Sequence, residues 1–156
     1  IVVGDRIFLT TAVDSNNTKP LDHAGGVRNM RGKKASEPFA FKVICISLID
    51  GSVQWGKDIA VETPKFPIHA SNTYATESPV TDGKYLYCYF AAIGRVVALD
   101  MDGKLNWSVY VGAFPGGNGF GTGSSLAYKS GKLFLQCIEQ VKILLCEFRI
   151  LAVPSP

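Results

Sequence analysis

Two nine-residue stretches decide the fold of this chain. Ser47–Trp55 reads Ser-Leu-Ile-Asp-Gly-Ser-Val-Gln-Trp, and Leu99–Trp107 reads Leu-Asp-Met-Asp-Gly-Lys-Leu-Asn-Trp. Both end in Asp-Gly-x-x-x-Trp, and their tryptophans lie 52 positions apart. Asp-Gly is typical of a hairpin turn, because Asp tolerates a left-handed backbone and Gly adopts it without steric cost. Each phrase predicts a hairpin whose outgoing strand carries a tryptophan, and the repeat residues are Asp50, Gly51, Trp55, Asp100, Asp102, Gly103 and Trp107.

A second phrase also recurs along the chain. Gly4–Leu9, Asp82–Tyr87 and Ser130–Leu135 each consist of a tight turn followed by an aromatic-aliphatic run, and the last two lie 48 positions apart. Two independent phrases with a period of about 50 residues are typical of architectures that build one four-stranded sheet per repeat. The chain is therefore expected to contain about two and a half such units.

The sequence shows almost no helical periodicity and consists instead of short β-rich runs separated by Gly, Asp and Ser. The run Tyr85–Phe90 is apolar almost throughout, which indicates a strand covered on both faces, as in stacked sheets. A tryptophan between such sheets can bury its ring while its indole N–H bonds a carbonyl. The fold class is therefore all-β, and the expected strands are Arg6–Val13, Phe41–Leu48, Ser52–Trp55, Lys84–Ala91, Arg95–Leu99, Leu105–Val111 and Lys132–Ile138.

Composition excludes several classes of protein. The 156 residues are 47% hydrophobic and 19% charged, which is not the profile of a disordered chain. A net charge of +3 is too weak to indicate nucleic acid binding, and no run approaches the roughly 20 apolar residues of a membrane span. The four cysteines lie in apolar runs and lack the spacing of metal ligands; they are Cys45, Cys88, Cys137 and Cys146. We expect them to be buried thiols, and a disulfide between two of them is the alternative.

Ala98–Trp107 resembles the PQQ-like repeat phrase Ala-Leu-Asp-x-x-x-Gly-x-x-x-Trp, and His69–Gly83 is similar to the segment that leads into a blade in that family. The resemblance covers about residues 1–140. It implies a β-propeller of four-stranded antiparallel blades. The phrase at Ser47–Trp55 departs from the pattern, because Ile49-Asp50-Gly51 lacks the usual small residue and threonine.

On this resemblance the chain divides into a partial propeller and a tail. Blade 1 covers about residues 1–61 and is expected to start at its second strand, with an insertion at 14–40. Blade 2 covers about 74–111 and blade 3 about 122–140. Residues 141–156 show no repeat phrase, and they are either a divergent strand with a tail or a frame-shifted end. A ring needs roughly 4–8 blades. We therefore expect a fragment of a larger protein with apolar faces that self-associate.

The resemblance implies a non-enzymatic scaffold that binds a protein or ligand, in the periplasm or secreted from a bacterium, whose partners include the remaining blades. Two alternatives are a fragment of a PQQ-dependent alcohol or sugar dehydrogenase and the sensor domain of a kinase-type receptor. No adjacent cysteine pair is present, so no PQQ or calcium site is assigned, and missing blades would have to supply those ligands. No catalytic or metal-binding residue is assigned either.

Three segments are candidates for binding. His69, Asn72 and Tyr74 are expected to face the central channel of a propeller. The polar insertion at 14–40 carries cations that could form an anion-binding surface or a solvated loop, namely Lys19, Arg28, Arg31, Lys33 and Lys34. Gly116–Gly123 has a dinucleotide-like glycine pattern but leads into a strand, so it is expected to connect two sheets.

Overall fold

The chain folds into eleven described β-strands and one short 3-10 turn. The structure is a computed structural model that describes residues 1–15, 35–69, 72–116, 119–139 and 142–149, with positions 138–139 and 142–149 described by their backbone alone. The all-β prediction is confirmed for these residues. The 3-10 turn is Ala91–Ile93. The strands are β1 (Val2–Val3), β2 (Arg6–Asp14), β3 (Phe39–Ser47), β4 (Val53–Glu62), β5 (Val80–Thr81), β6 (Tyr85–Phe90), β7 (Arg95–Asp100), β8 (Leu105–Tyr110), β9 (Ala127–Lys129), β10 (Lys132–Glu139) and β11 (Lys142–Arg149).

These strands form three antiparallel sheets in which sequence neighbours pair. The first sheet has the order β1-β2-β3-β4, the second β5-β6-β7-β8, and the third β11-β10-β9. The expectation that the first unit starts at its second strand is wrong, because β1 pairs with β2 through Val3 and Arg6. Gly4, with φ +56°, supplies the left-handed residue of the turn between them. Two of the sheets are therefore complete four-stranded units.

Two segments singled out in the sequence bear on the sheet boundaries. β2 and β3 pair as far as Asp14 and Phe39, so they flank the insertion closely. The five cations of the insertion lie within 16–34, outside the described residues. β11 lies within 141–156, where no repeat phrase is visible, and it pairs with β10 from Lys132 to Glu139.

The two tryptophans occupy equivalent positions in the first two sheets. In the first sheet Cys45 pairs with Trp55, but the next residue, Ile46, pairs with Val53, so one residue of β4 is skipped. In the second sheet Ala98 pairs with Trp107, but the next residue, Leu99, pairs with Leu105, so one residue of β8 is skipped. Each tryptophan thus follows a β-bulge at the same point of its hairpin, so the sequence repeat is also a repeat of strand register.

The three sheets stack face to face. Phe41 of the first sheet meets Phe90 of the second edge-on, with ring centroids 5.7 Å apart. On the other face of the second sheet, Tyr87 stacks on Tyr128 of the third sheet at 6.1 Å and an interplanar angle of 12°. The second sheet is therefore covered on both sides, which confirms the interpretation of the continuous apolar run in β6.

Burial also explains the behaviour of the cysteines. Cys45, Cys88 and Cys137 are buried, as expected, and each lies on a central strand of its sheet. Burial raises the pKa of the Cys88 thiol, because an apolar environment disfavours the thiolate. These three side chains therefore act as small apolar core residues.

Candidate functional site

The most informative contact in the chain joins Trp55 of the first sheet to the β7–β8 hairpin of the second. Gly103 in that hairpin has φ +84°, and a Cβ built on it would lie 2.9 Å from the Cδ2 and Cε3 atoms of the Trp55 ring. The indole ring therefore packs directly on the glycine backbone. Phe8 supports the ring, with centroids 5.9 Å apart. Glycine is needed here both for its left-handed conformation and for its lack of a side chain.

Arg6 binds the same hairpin from the first sheet. Its Nη1 donates a 2.7 Å hydrogen bond to the Met101 carbonyl and lies 3.4 Å from the Asp102 carboxylate. The guanidinium also sits 5.4 Å from the centroid of the Phe8 ring. Asp102 is largely exposed, so water screens its pairing with Arg6, and the bond to the main-chain carbonyl is the stronger contact.

Two substitutions test whether the carbonyl bond of Arg6 stabilises the protein more than its ion pair with Asp102 does. Arg6→Met should lower the free energy of unfolding by about 1–2 kcal/mol, because it removes a charged donor from a main-chain carbonyl. Asp102→Asn should change it by less than about 0.5 kcal/mol, because the ion pair is exposed and Asn suits a turn. Urea denaturation of both variants measures the two effects. Equal losses would show that the ion pair, rather than the carbonyl bond, holds the hairpin.

The prediction that the indole N–H bonds a carbonyl is wrong for Trp55. Its Nε1 is buried and has no hydrogen-bond partner among the described residues. The position of the ring follows from its close contact with Gly103 and its packing against Phe8. Packing, rather than a polar partner, therefore places this side chain.

The aspartates of the repeat phrases serve the turns themselves. The Ser47 hydroxyl and then the Ser52 N–H and hydroxyl lower the pKa of Asp50 to about 2. Asp100 accepts hydrogen bonds from the N–H groups of Asp102 and Lys104. These carboxylates stabilise the hairpins, and their acceptor atoms are directed at local N–H groups.

The structure brings together two of the three residues expected to face a channel. The main-chain N–H of His69 and the side-chain amide of Asn72 both donate to the Phe120 carbonyl, at 3.1 and 3.3 Å. Tyr74 instead lies in the core, where its ring meets Phe39 at 5.0 Å and its hydroxyl accepts the Ala35 N–H. A binding role for these residues stays a prediction, and His69 with Asn72 are its better candidates. Within the glycine-rich segment, Gly121 packs near Asn72, as a connection between sheets requires.

Glu77 is a notable residue that sequence reasoning missed. It precedes β5, is only 3% exposed, and its Oε2 has no hydrogen-bond partner among the described residues. Burial raises the pKa of this carboxyl to about 8, although the N–H groups of Glu77, Thr76 and Ala91 partly oppose the shift. Its carbonyl accepts the Thr10 hydroxyl at 2.9 Å, which ties the segment to the first sheet. An acidic residue beside Ser-Pro carries no sequence signal of burial.

A surface groove of about 280 Å³ lies on the second sheet, below the roughly 300–1,000 Å³ of most ligand pockets. It contains none of the predicted binding residues, and its lining consists of Lys84, Tyr85, Asp100, Lys104, Leu105 and Asn106. Its only acidic side chain, Asp100, is engaged in its own turn. The groove therefore gives little indication of a bound ligand.

Within the described residues, no three His, Cys, Asp or Glu side chains converge as a metal site would require. No helix in this part of the chain has the length and hydropathy needed to cross a bilayer. No protein-family model matches the chain, and the curated proteins contain no significant match to it. Function must therefore be inferred from the stacked sheets themselves.

Proposed function

We propose that the chain is part of a propeller-like scaffold that binds a protein partner or ligand and carries out no reaction of its own. The observation that supports this most strongly is the front-to-back stacking of equivalent sheets, with Trp55 of one sheet packed on Gly103 of the next. Such stacking makes each unit depend on its neighbour for burial, as in other repeat proteins. The fourth strands, β4 and β8, stay accessible to a partner, because each forms an edge of its sheet.

A scaffold of this kind would act by shape. Stacked sheets hold the connecting segments rigid, and partners dock on those segments or on an open sheet face. His69 and Asn72 support this proposal, because their hydrogen bonds to the Phe120 carbonyl link the approaches to the second and third sheets. A location in the bacterial periplasm or outside the cell belongs to this proposal through the resemblance to PQQ-like repeats alone.

One experiment with two readouts tests the proposal. Purified protein is supplied with PQQ and Ca²⁺, and alcohol- or sugar-dependent dye reduction is measured beside sedimentation at several protein concentrations. We expect no reduction above the protein-free rate and concentration-dependent self-association, because the open sheet faces are apolar. Reproducible turnover would overturn the non-enzymatic assignment. A monomer at every concentration with no turnover would contradict docking through open faces.

A further inference from the structure

The segment Thr76–Ser78, the junction segment, is linked to all three sheets within three residues. It leads into the second sheet, whose strand β5 begins at Val80. The carbonyl of its middle residue, Glu77, accepts the hydroxyl of Thr10 at 2.9 Å. Thr10 belongs to β2 and lies 67 positions away in the sequence, so this hydrogen bond fastens the junction segment to the first sheet.

The junction segment is also bound to the part of the chain that approaches the third sheet. The Thr76 hydroxyl donates to the Thr122 carbonyl at 3.2 Å. The Ser78 N–H donates to the Ser125 hydroxyl at 2.9 Å. Thr122 and Ser125 come shortly before β9, which begins at Ala127. Displacement of the junction segment would therefore break links to the first and third sheets together.

The middle of the junction segment carries a carboxyl group that is shut off from water. Glu77 is 3% exposed, and its Oε2 atom has no hydrogen-bond partner among the described residues. A carboxylate at this position would leave one charged oxygen without a donor, and an unpaired buried charge is costly. The packed arrangement of the junction segment therefore fits the neutral carboxyl group and not the carboxylate.

The surroundings of Glu77 offer no charge that would compensate for its ionisation. The groups that neighbouring elements present to the junction segment are uncharged, namely the Thr10 hydroxyl from β2, the Ala91 N–H from the 3-10 turn, and the Thr122 carbonyl and Ser125 hydroxyl from the approach to the third sheet. Among the described residues, no charged side chain contributes to the pKa of Glu77, which burial raises and main-chain N–H groups lower.

We propose that the junction segment is a pH-controlled latch, closed while the Glu77 carboxyl group carries its proton and opened when the carboxylate forms. Opening transfers one proton from Glu77 to solvent and breaks the hydrogen bonds to Thr10, Thr122 and Ser125. The central strands of the second sheet, β6 and β7, stay paired, because their apolar residues remain buried between the sheets. The latch is a property of the fold and does not depend on the scaffold function proposed above.

The latch should open more often as the pH rises. In the open form Glu77 meets water and ionises near its ordinary pKa of 4.5, whereas burial in the closed form raises the pKa to about 8. Between these values the closed form keeps a proton that the open form has lost, so each pH unit multiplies the ratio of open to closed molecules by up to about ten. Above about pH 8 both forms are ionised and the ratio stays constant.

Hydrogen exchange of the main-chain amides in the full chain measures this opening. Peptides that cover the junction segment are compared with peptides that cover Val96–Leu99 of β7 at pH 5, 6, 7 and 8. Dividing the intrinsic exchange rate by the observed rate gives a protection factor that is free of the pH dependence of exchange itself. We expect the protection of the junction segment to fall by up to about tenfold per pH unit, with little response to urea, because local opening exposes little surface. The β7 amides should be better protected and more sensitive to urea.

Three variants connect the opening to the proton on Glu77. Glu77→Gln cannot ionise, so the protection of its junction segment should not change with pH. Ser125→Ala keeps the carboxyl group and removes one hydrogen bond, so it should lower protection by roughly two- to tenfold at every pH and retain the pH dependence. Asp5→Asn removes a carboxylate at an exposed turn position and is the matched control, which should follow the unsubstituted protein.

Three results would overturn the latch. The first is protection of the junction segment that stays constant from pH 5 to pH 8 in the unsubstituted protein. The second is a pH dependence that persists in Glu77→Gln, because another group would then control the opening. The third is equal protection and equal urea response in the junction segment and β7, because only global unfolding would then expose Glu77. None of these measurements involves dye reduction or sedimentation, which test the scaffold function separately.

Discussion

Glu77→Gln should leave stability at pH 5 nearly unchanged and should make the protein progressively more stable than the unsubstituted chain as the pH rises to 8. Burial raises the pKa of Glu77 to about 8, from an ordinary value of 4.5. Between these values the folded protein keeps a proton that the unfolded chain has lost, so stability falls as the pH rises. Gln has no proton to lose, so the variant escapes this penalty.

The difference at pH 8 should amount to roughly 4–5 kcal/mol, since each pH unit of pKa displacement corresponds to about 1.4 kcal/mol. This is a large part of the roughly 5–15 kcal/mol that stabilises an ordinary domain. Urea denaturation at pH 5, 6, 7 and 8 gives both curves. Asp5→Asn, which removes a negative charge at an exposed turn position, is the control and should follow the unsubstituted protein. Parallel curves for the Glu77→Gln variant and the unsubstituted protein would show that Glu77 ionises normally in the folded state.

Gly103→Ala should destabilise the fold much more than Gly51→Ala. Both substitutions place Ala in a left-handed conformation, which costs roughly 1–2 kcal/mol. At Gly103 the new Cβ also lies 2.9 Å from the Trp55 ring, and overpacking of this kind typically costs a further ~1–3 kcal/mol. Gly51 has open space at the same point, so it reports the backbone cost alone.

Urea denaturation of the two variants measures this difference directly. Tryptophan fluorescence in a Trp107→Phe background adds a second readout, because Trp55 is then the only indole in the chain. The Trp55 emission should shift to longer wavelength in Gly103→Ala and stay unchanged in Gly51→Ala. Equal stability losses with unchanged emission would mean that the Trp55 ring does not rest on Gly103 in solution.

Elements defined by local patterns were predictable from the sequence. The run Arg6–Val13 became β2, Arg6–Asp14, and Lys132–Ile138 became β10, Lys132–Glu139, because an aromatic-aliphatic run after a tight turn favours a strand wherever it lies. β5 and β9, of two and three residues, were missed. Strands this short have no alternation of their own and exist only because a neighbouring strand pairs with them.

Residues whose role depends on distant contacts were not predictable in this way. The Asp-Gly phrases indicated two hairpins and the strands that carry Trp55 and Trp107, and the structure agrees. Packing across sheets left the indole N–H of Trp55 without a hydrogen-bond partner among the described residues, and it placed Tyr74 in the core. Turn chemistry is settled within a few residues, whereas the cost of burying a polar atom depends on what lies opposite it.

The amino-acid sequence alone determined the strand-rich class, the two equivalent hairpins and the outgoing strand that carries each tryptophan, because turns and alternation are short-range properties of the backbone. Only the tertiary structure decided that Gly103 carries an indole while Gly51 does not, and that the Glu77 carboxyl loses contact with water. Similar local phrases acquire different surroundings when sheets stack, because the second sheet has a neighbour on each face and the outer face of the first has none among the described residues.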